Sequence, residues 1–417
     1  PPRELLVTDT VRYVGDNIAF IVAETVSQAK DAADLIIVDY EELPIITDPE
    51  LAIKKDAPLV WPESESNICC TWEKGDESGV STAFSQAYHI TKISLINNRL
   101  VVNPMETRGA VGDYNAGMGK YTLYATTQGA NIARNWLAPC LGVPISDLRV
   151  ITPDVGGGFG MKLMAYPEYV LVCWASKQIG RPVKWIGDRS DAFLSDTHSR
   201  DHVTTVELAL TEEAKFLGIR VDTIANMGGC LSTMAPMVPT VAGSNLYTGL
   251  YIMPMVHVKV RLVFTNTVPV DAYRGAGRPE VAYALERVVD AAARDFGISP
   301  DEIRRRNFVS TDLLPYETCM GEKIDSGDFI MVMRESMERA DWYGSASRKE
   351  IARAKNKLRG IGMATYVEAC GGGADELSEL RVDADGRVDI LVGSQNNGQG
   401  HLTAYAQIIN ETMGLDP

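Results

Sequence analysis

The residues with the clearest chemical potential are the backbone amides of DVGGGFGMK, residues 154–162. Four glycines around one phenylalanine leave main-chain N–H groups bare, so a ligand can approach the backbone closely. Successive N–H groups at a strand-to-helix turn form a concavity suited to phosphate or another oxyanion. The familiar phosphate motifs fail on spacing. A nucleotide P-loop needs Gly directly before its Lys and Ser or Thr directly after, but Lys162 is flanked by Met161 and Leu163. A dinucleotide fingerprint counted from Gly156 needs Gly at 161 and meets Met161. Taken alone, the stretch also reads as a tight turn with no ligand.

Three other junctions share the design of strand, Gly with Gln or Arg, then helix. Gln128 ends a strand-like run at 121–126 and precedes a helical segment. Arg274 lies in DAYRGAGRPE, where its guanidinium can fork onto an anion or pair with a carboxylate for structure. GSQNNGQGH, residues 393–401, sets polar amides beside glycines ahead of a C-terminal helix. Ligands in α/β architecture gather where strands end, so Gln128 and Gly157–Gly160 are expected to share a site.

These turns need elements to hold them. LRVITP at 148–153 reads as a buried strand, and 167–180 as a helix. Residues 201–210 and 216–226 read as a hairpin, with a further strand at 255–265. Pro279 opens a strong helix with an apolar stripe at Ala284, Leu285, Val288, Val289 and Ala292. Ser299 and Glu302 have capping-box spacing, and Arg304, Arg305 and Arg306 read as a solvated or domain-contact face. Near the start, two short strands over 11–24, a helix capped by Ser27 and a strand at 36–44 are expected. A helix over the 327–342 region, an exposed helix in 345–359, and strands at about 361–368, 379–383 and 388–393 follow.

Composition narrows the class. A chain of 417 residues can hold about two or three domains with real cores. Its net charge of −15 argues against nucleic acid as the main partner. No run approaches the roughly 18 apolar residues of a membrane span. The seven cysteines are scattered without Cys-x-x-Cys, so no zinc ribbon or iron–sulfur ligand set is expected. Cys69 and Cys70 read as ordinary strand residues, and the pattern fits a reducing, cytoplasmic compartment. The start at Pro1 and the stop at Pro417 suggest a fragment or one piece of a split protein.

Together, TTQGAN (126–131), DVGGGFGMK, DAYRGAGRPE and NNGQGH (396–401) resemble, in order and spacing, the molybdenum-binding subunit of the xanthine dehydrogenase, aldehyde oxidase and carbon monoxide dehydrogenase family. The resemblance implies an α+β fold in which residues 1–50 are the latter part of an α/β hammerhead domain and 51–79 a linker. Mixed α/β molybdopterin-binding domains then follow: a first at 80–315, a connector at 316–359, and the start of a second at 360–417.

It also implies a molybdopterin cofactor, in its plain or cytosine dinucleotide form, whose dithiolene rather than any side chain holds the metal. Gln128, Phe159 and Arg274 would then be the catalytic set. The cradle would comprise Gln128, Gly157, Gly158, Phe159, Gly160, Arg274, Gly275, Gln399 and Gly400. Leu163, His257 and Ala276 would line the substrate pocket, although His257 reads equally as a strand side chain.

The implied reaction is hydroxylation with water as oxygen source. A catalytic Glu is expected beyond residue 417, and electrons leave to [2Fe–2S] and FAD groups on partner subunits. Purine hydroxylators carry Glu where this chain has Leu163, and an Arg near the place of His257; losing both anchors disfavours purines. Copper-assisted CO oxidation needs Cys where Gly275 stands. An aldehyde or an N-heteroaromatic ring is therefore the expected substrate. The alternative is a non-catalytic pterin-binding or assembly subunit; a generic nucleotide-binding protein is disfavoured by both failed phosphate motifs.

Overall fold

The computed structural model describes residues 3–368 and 376–416; Cys370 and the terminal prolines lie outside the described residues. A five-stranded sheet runs in the order Ile68–Gly75, Met255–Phe264, Phe216–Gly228, His202–Leu210, His89–Asn97. All neighbours are antiparallel except Phe216–Gly228 beside Met255–Phe264. The expected hairpin forms, with Val206 opposite Val221. Alternate residues His202, Thr204, Val206 and Leu208 are buried, the period that a strand with one covered face requires. The helix Arg278–Asp295 packs across this sheet, and every residue of its expected stripe is buried. Each Leu or Val so covered contributes about 1.5–3 kcal/mol.

A four-stranded sheet supplies the second core, in the order Leu148–Ile151, Lys120–Ala125, Gly109–Asn115, Val183–Ile186. The helix Pro167–Ile179 lies on it, buried on most sides. The helix Ala130–Cys140 packs beside the strand Leu148–Ile151. Arg108 enters this core with its guanidinium 3.0 Å from Glu168 and bonded to Asp196. The Tyr166 ring lies over it at 3.6 Å. The Gly-rich turn leaves the end of Leu148–Ile151, and the Gln128 turn leaves the neighbouring strand Lys120–Ala125.

The start of the chain differs from expectation. Residues 11–24 and 36–44 form no strand, because no neighbour among the described residues takes up their N–H and C=O groups as a ladder. Leu35, Ile37, Tyr40 and Leu43 are exposed there. The helix Val26–Asp34 is present, but Thr25 is its N-cap: the Gln28 side chain completes a capping box that Ser27 cannot. Part of the stretch read as linker is ordered structure, since Ile68–Gly75 is an edge strand of the five-stranded sheet; it carries Cys69 and Cys70.

Two corrections concern the helix Pro300–Asn307. Ser299 is its N-cap without a side-chain capping bond, because Glu302 is drawn to Arg305 and Arg306 instead. Arg304 is fully buried rather than solvated, bonded to Glu286 at 2.7 Å and Asp290 at 2.8 Å. That network also replaces the strand expected at 361–368. Thr365 N donates to Glu286 at 2.7 Å and the Met363 carbonyl accepts from Arg304 at 3.1 Å, which ties the segment to helices as a loop. The helices Phe329–Arg339 and Ser345–Ala354 and the hairpin Ser378–Val382 with Val388–Val392 form as expected, and His401–Met413 closes the chain. Among the described residues no helix is long and apolar enough to cross a membrane.

Burial holds the imidazoles of His198 and His202 below the ordinary value of 6.5, with Arg200 adding to the effect at His202 against Glu280 and Asp201. As pH falls below 6.5 the unfolded chain takes up protons that these two refuse when folded. Stability therefore drops on acidification from that point, before most carboxylates titrate. Urea unfolding midpoints between neutral pH and about pH 5 check this, and His202→Asn should flatten the slope.

Candidate functional site

The Gln128 and Gly-rich turns are joined directly. Gly160 N donates to Gln128 Oε1 at 2.8 Å, and Gln128 N donates to the Lys162 carbonyl at 3.2 Å. A Cβ on Gly158 would lie 2.4 Å from the Gln128 side chain, so only glycine admits that approach. Gly160 has φ +103° and backs onto the Ala272 carbonyl, where a Cβ would sit 2.6 Å away. Between them Phe159 takes φ +55°, a left-handed conformation uncommon outside glycine, and the residue is 41% exposed.

The Arg274 turn joins the same cluster. Arg274 N donates to the Phe159 carbonyl at 2.9 Å. Its guanidinium is exposed and, among the described residues, has no hydrogen-bond or ion-pair partner. Beneath it, buried Arg200 binds Glu280 at 2.8 Å and the Tyr273 and Arg274 carbonyls at 3.4 and 3.2 Å. Gly275 has φ +92°, and Ala276 N closes the turn onto Tyr273 O at 2.7 Å.

The fourth turn touches the other side. Gln395 Nε2 donates to the Thr127 carbonyl, and a Cβ on Gly398 would lie 3.7 Å from the Val155 carbonyl and 4.0 Å from Gly157 N. Gln399 is on this turn with its side chain folded back to accept from Asn397 N. Gly400 caps the helix His401–Met413 with φ +79°.

Two expected pocket residues fare differently. The Leu163 side chain packs against the core of the four-stranded sheet, while its N donates to Gly160 O at 3.1 Å. His257 does not join the turns. It is buried opposite Gly75 and Arg220 in the five-stranded sheet, with Nε2 3.4 Å from Glu73, so its strand position governs it. Gln395, Arg200 and Glu106 were missed: each acts across a long stretch of chain, and Gln395 alone carried a signal, being an amide inside the NNGQG region.

The rim so formed offers N–H groups, carboxamides and, among the described residues, the unpaired Arg274 guanidinium, a donor set for an anionic, oxygen-rich ligand. Among the described residues the only trio of His, Cys, Asp or Glu side chains close enough to hold an ion is Glu73, Glu77 and His257, outside these turns. A metal here would need a ligand of its own. Gly158→Ala should displace the Gln128 side chain and cost about 1–3 kcal/mol. The urea midpoint measures it; an unchanged midpoint would mean the approach is not that tight.

Residues 60–308 match the family model for a molybdopterin cofactor-binding domain, and 335–417 match a second model of that description. Residues 1–44 match the aldehyde oxidase and xanthine dehydrogenase a/b hammerhead domain. The chain is 31% identical to the carbon monoxide dehydrogenase large chain of Hydrogenophaga pseudoflava, covering 99% of this chain and 55% of that one. It is 32% identical to the nicotine 6-hydroxylase large subunit of Paenarthrobacter nicotinovorans, covering 99% and 52%. The crystal structure of quinoline 2-oxidoreductase from Pseudomonas putida 86 superposes with a TM-score of 0.91 at 32% identity, covering 97% of this chain and 53% of that one. The chain thus spans about half the length of these relatives. With its four turns gathered and these matches along nearly its whole length, the chain belongs to the molybdopterin-binding large-subunit family of xanthine dehydrogenase, aldehyde oxidase and carbon monoxide dehydrogenase.

Proposed function

We propose that this chain forms the cofactor-holding part of a molybdenum hydroxylase. The protein would hydroxylate an aldehyde or an N-heteroaromatic carbon with water as oxygen source, and pass electrons to Fe–S and FAD subunits in the cytoplasm. The observation that carries this reading is the convergence of Gln128, Phe159 and Arg274 through hydrogen bonds of 2.8 and 2.9 Å. The donor-rich rim fits a pterin cofactor whose dithiolene brings its own metal ligands. When bound, that cofactor supplies the redox centre that accepts an electron pair.

The chain's residues then have distinct tasks. The amides of Gly157, Gly158 and Phe159 would orient oxygen atoms of the cofactor head together with the Gln128 amide, whose oxygen meanwhile holds Gly160 N. Gln399 and Gly400, on the fourth turn, would hold its pterin. Arg274, whose guanidinium has no partner among the described residues, would stabilise negative charge on the bound group. Phe159 presents an apolar ring at the rim and limits how a planar substrate enters. Ala276 is small enough to leave that entrance open.

Substrate class rests on residue identities together with relatives. Leu163 replaces a polar purine anchor and Gly275 a copper-binding Cys, while relatives named for nicotine and quinoline chemistry point to ring nitrogen compounds. Metal and pterin analysis of the chain purified with its partner subunits should return both, and aldehydes or N-heteroaromatics should drive dye reduction. Arg274→Ala should lower kcat by roughly 10²–10³-fold while the cofactor stays bound. Purified complex lacking molybdenum, or full activity in the Arg274 variant, contradicts the reading.

A further inference from the structure

The Gly-rich loop has a second anchor that owes nothing to Gln128. Glu106 lies just before the strand Gly109–Asn115, 50 residues from Gly156. Its Oε2 accepts from Gly156 N at 2.8 Å and from Lys162 Nζ at 2.7 Å. The main chains repeat the contact, Glu106 N donating to Gly156 O at 3.2 Å. A Cβ on Gly156 would lie 2.6 Å from the Glu106 Cβ, so the closeness depends on glycine.

Lys162 is the other half. Its side chain is 0% exposed, whereas that of Glu106 is 35% exposed. Among the described residues the ammonium pairs with Glu106 alone. Burial pushes the ammonium below its usual range and Glu106 pulls it back. The Lys162 carbonyl meanwhile accepts from Thr127 Oγ1 at 3.0 Å and from Gln128 N at 3.2 Å. One residue thus ties both flanks of the loop, its side chain to the Glu106 flank and its main chain to the Gln128 flank. Residues 156–160 are stretched between them.

We propose that Glu106 and Lys162 are positioning residues that pre-form the amide cradle: Lys162 fixes Glu106, and the Glu106 carboxylate fixes Gly156. The Lys in this Gly-rich motif therefore does not meet the ligand's anionic oxygens as a P-loop Lys does; its charge is spent inward on a carboxylate. The inference rests on the cofactor reading above for what the cradle holds, but not for the cradle itself.

Two double variants of the full chain, purified with its partner subunits, separate positioning from bulk stability. E106Q/K162M removes both charges yet keeps an acceptor for Gly156 N; E106A/K162M removes the charges and the acceptor. Neither leaves a buried charge alone, so both are expected to fold. Hydrogen–deuterium exchange over residues 154–162 should be about fivefold to tenfold faster in E106A/K162M than in E106Q/K162M, the effect of one lost hydrogen bond. Their melting temperatures should stay close to each other. Pterin release, followed by fluorescence, should accelerate in the alanine variant by a similar factor.

Equal exchange in the two variants overturns the proposal, as does a difference accounted for by a matching loss of melting temperature. Exchange is read without cofactor. A wild-type complex lacking pterin would therefore sink the functional reading while leaving the clamp to stand or fall on exchange.

Discussion

A loop of glycines has no side chains with which to hold itself in place, and the bond from Gly160 N to Gln128 Oε1 supplies what it lacks. Glycine loses more conformational freedom on ordering than any other residue, so a run of them needs anchors from elsewhere in the chain. Gln128 comes from the end of a neighbouring strand, which is why the parallel pairing of Lys120–Ala125 with Leu148–Ile151 matters. That register brings two strand ends level and lets one turn's carboxamide reach the other's amide. The Arg274 turn then completes the rim through the Phe159 carbonyl.

Around this rim the fold places buried ion pairs where elements meet. Arg108 binds Glu168 and Asp196 under the smaller sheet; Arg200 binds Glu280 beneath the Arg274 turn; Arg304 binds Glu286 and Asp290 where residues 363–365 dock. Such pairs add little net stability compared with apolar packing, because desolvation offsets much of their attraction. Their directional geometry does fix how one element sits on the next. Arg200 shows this most directly, since the guanidinium that binds Glu280 also holds the carbonyls of Tyr273 and Arg274.

Much of this was legible in the sequence where periodicity was strong. The stripe from Ala284 to Ala292 and the hairpin around Val206 and Val221 carry their period in plain view. The site's outline was legible too, because Gly with Gln or Arg between strand and helix is a local pattern. What escaped was non-local. Nothing near Glu106 announces Lys162, and nothing in Arg304–Arg305–Arg306 says that the first is buried and the others are not; a helix's rotation against its neighbours decides that. The strands expected over 11–24 and 36–44 failed for a related reason: apolar runs give a propensity, and only a paired neighbour makes a strand. His257 shows the limit of analogy, since a place counted from a motif need not face the site.

The four turns would surround one bound group. Anomalous scattering at the molybdenum absorption edge, from crystals of the chain with its partner subunits, measures this directly. A single strong peak is expected in the hollow bounded by Gln128, Gly157–Gly160, Arg274 and Gly398. A peak beside Glu73, Glu77 and His257, or none at all, would contradict it.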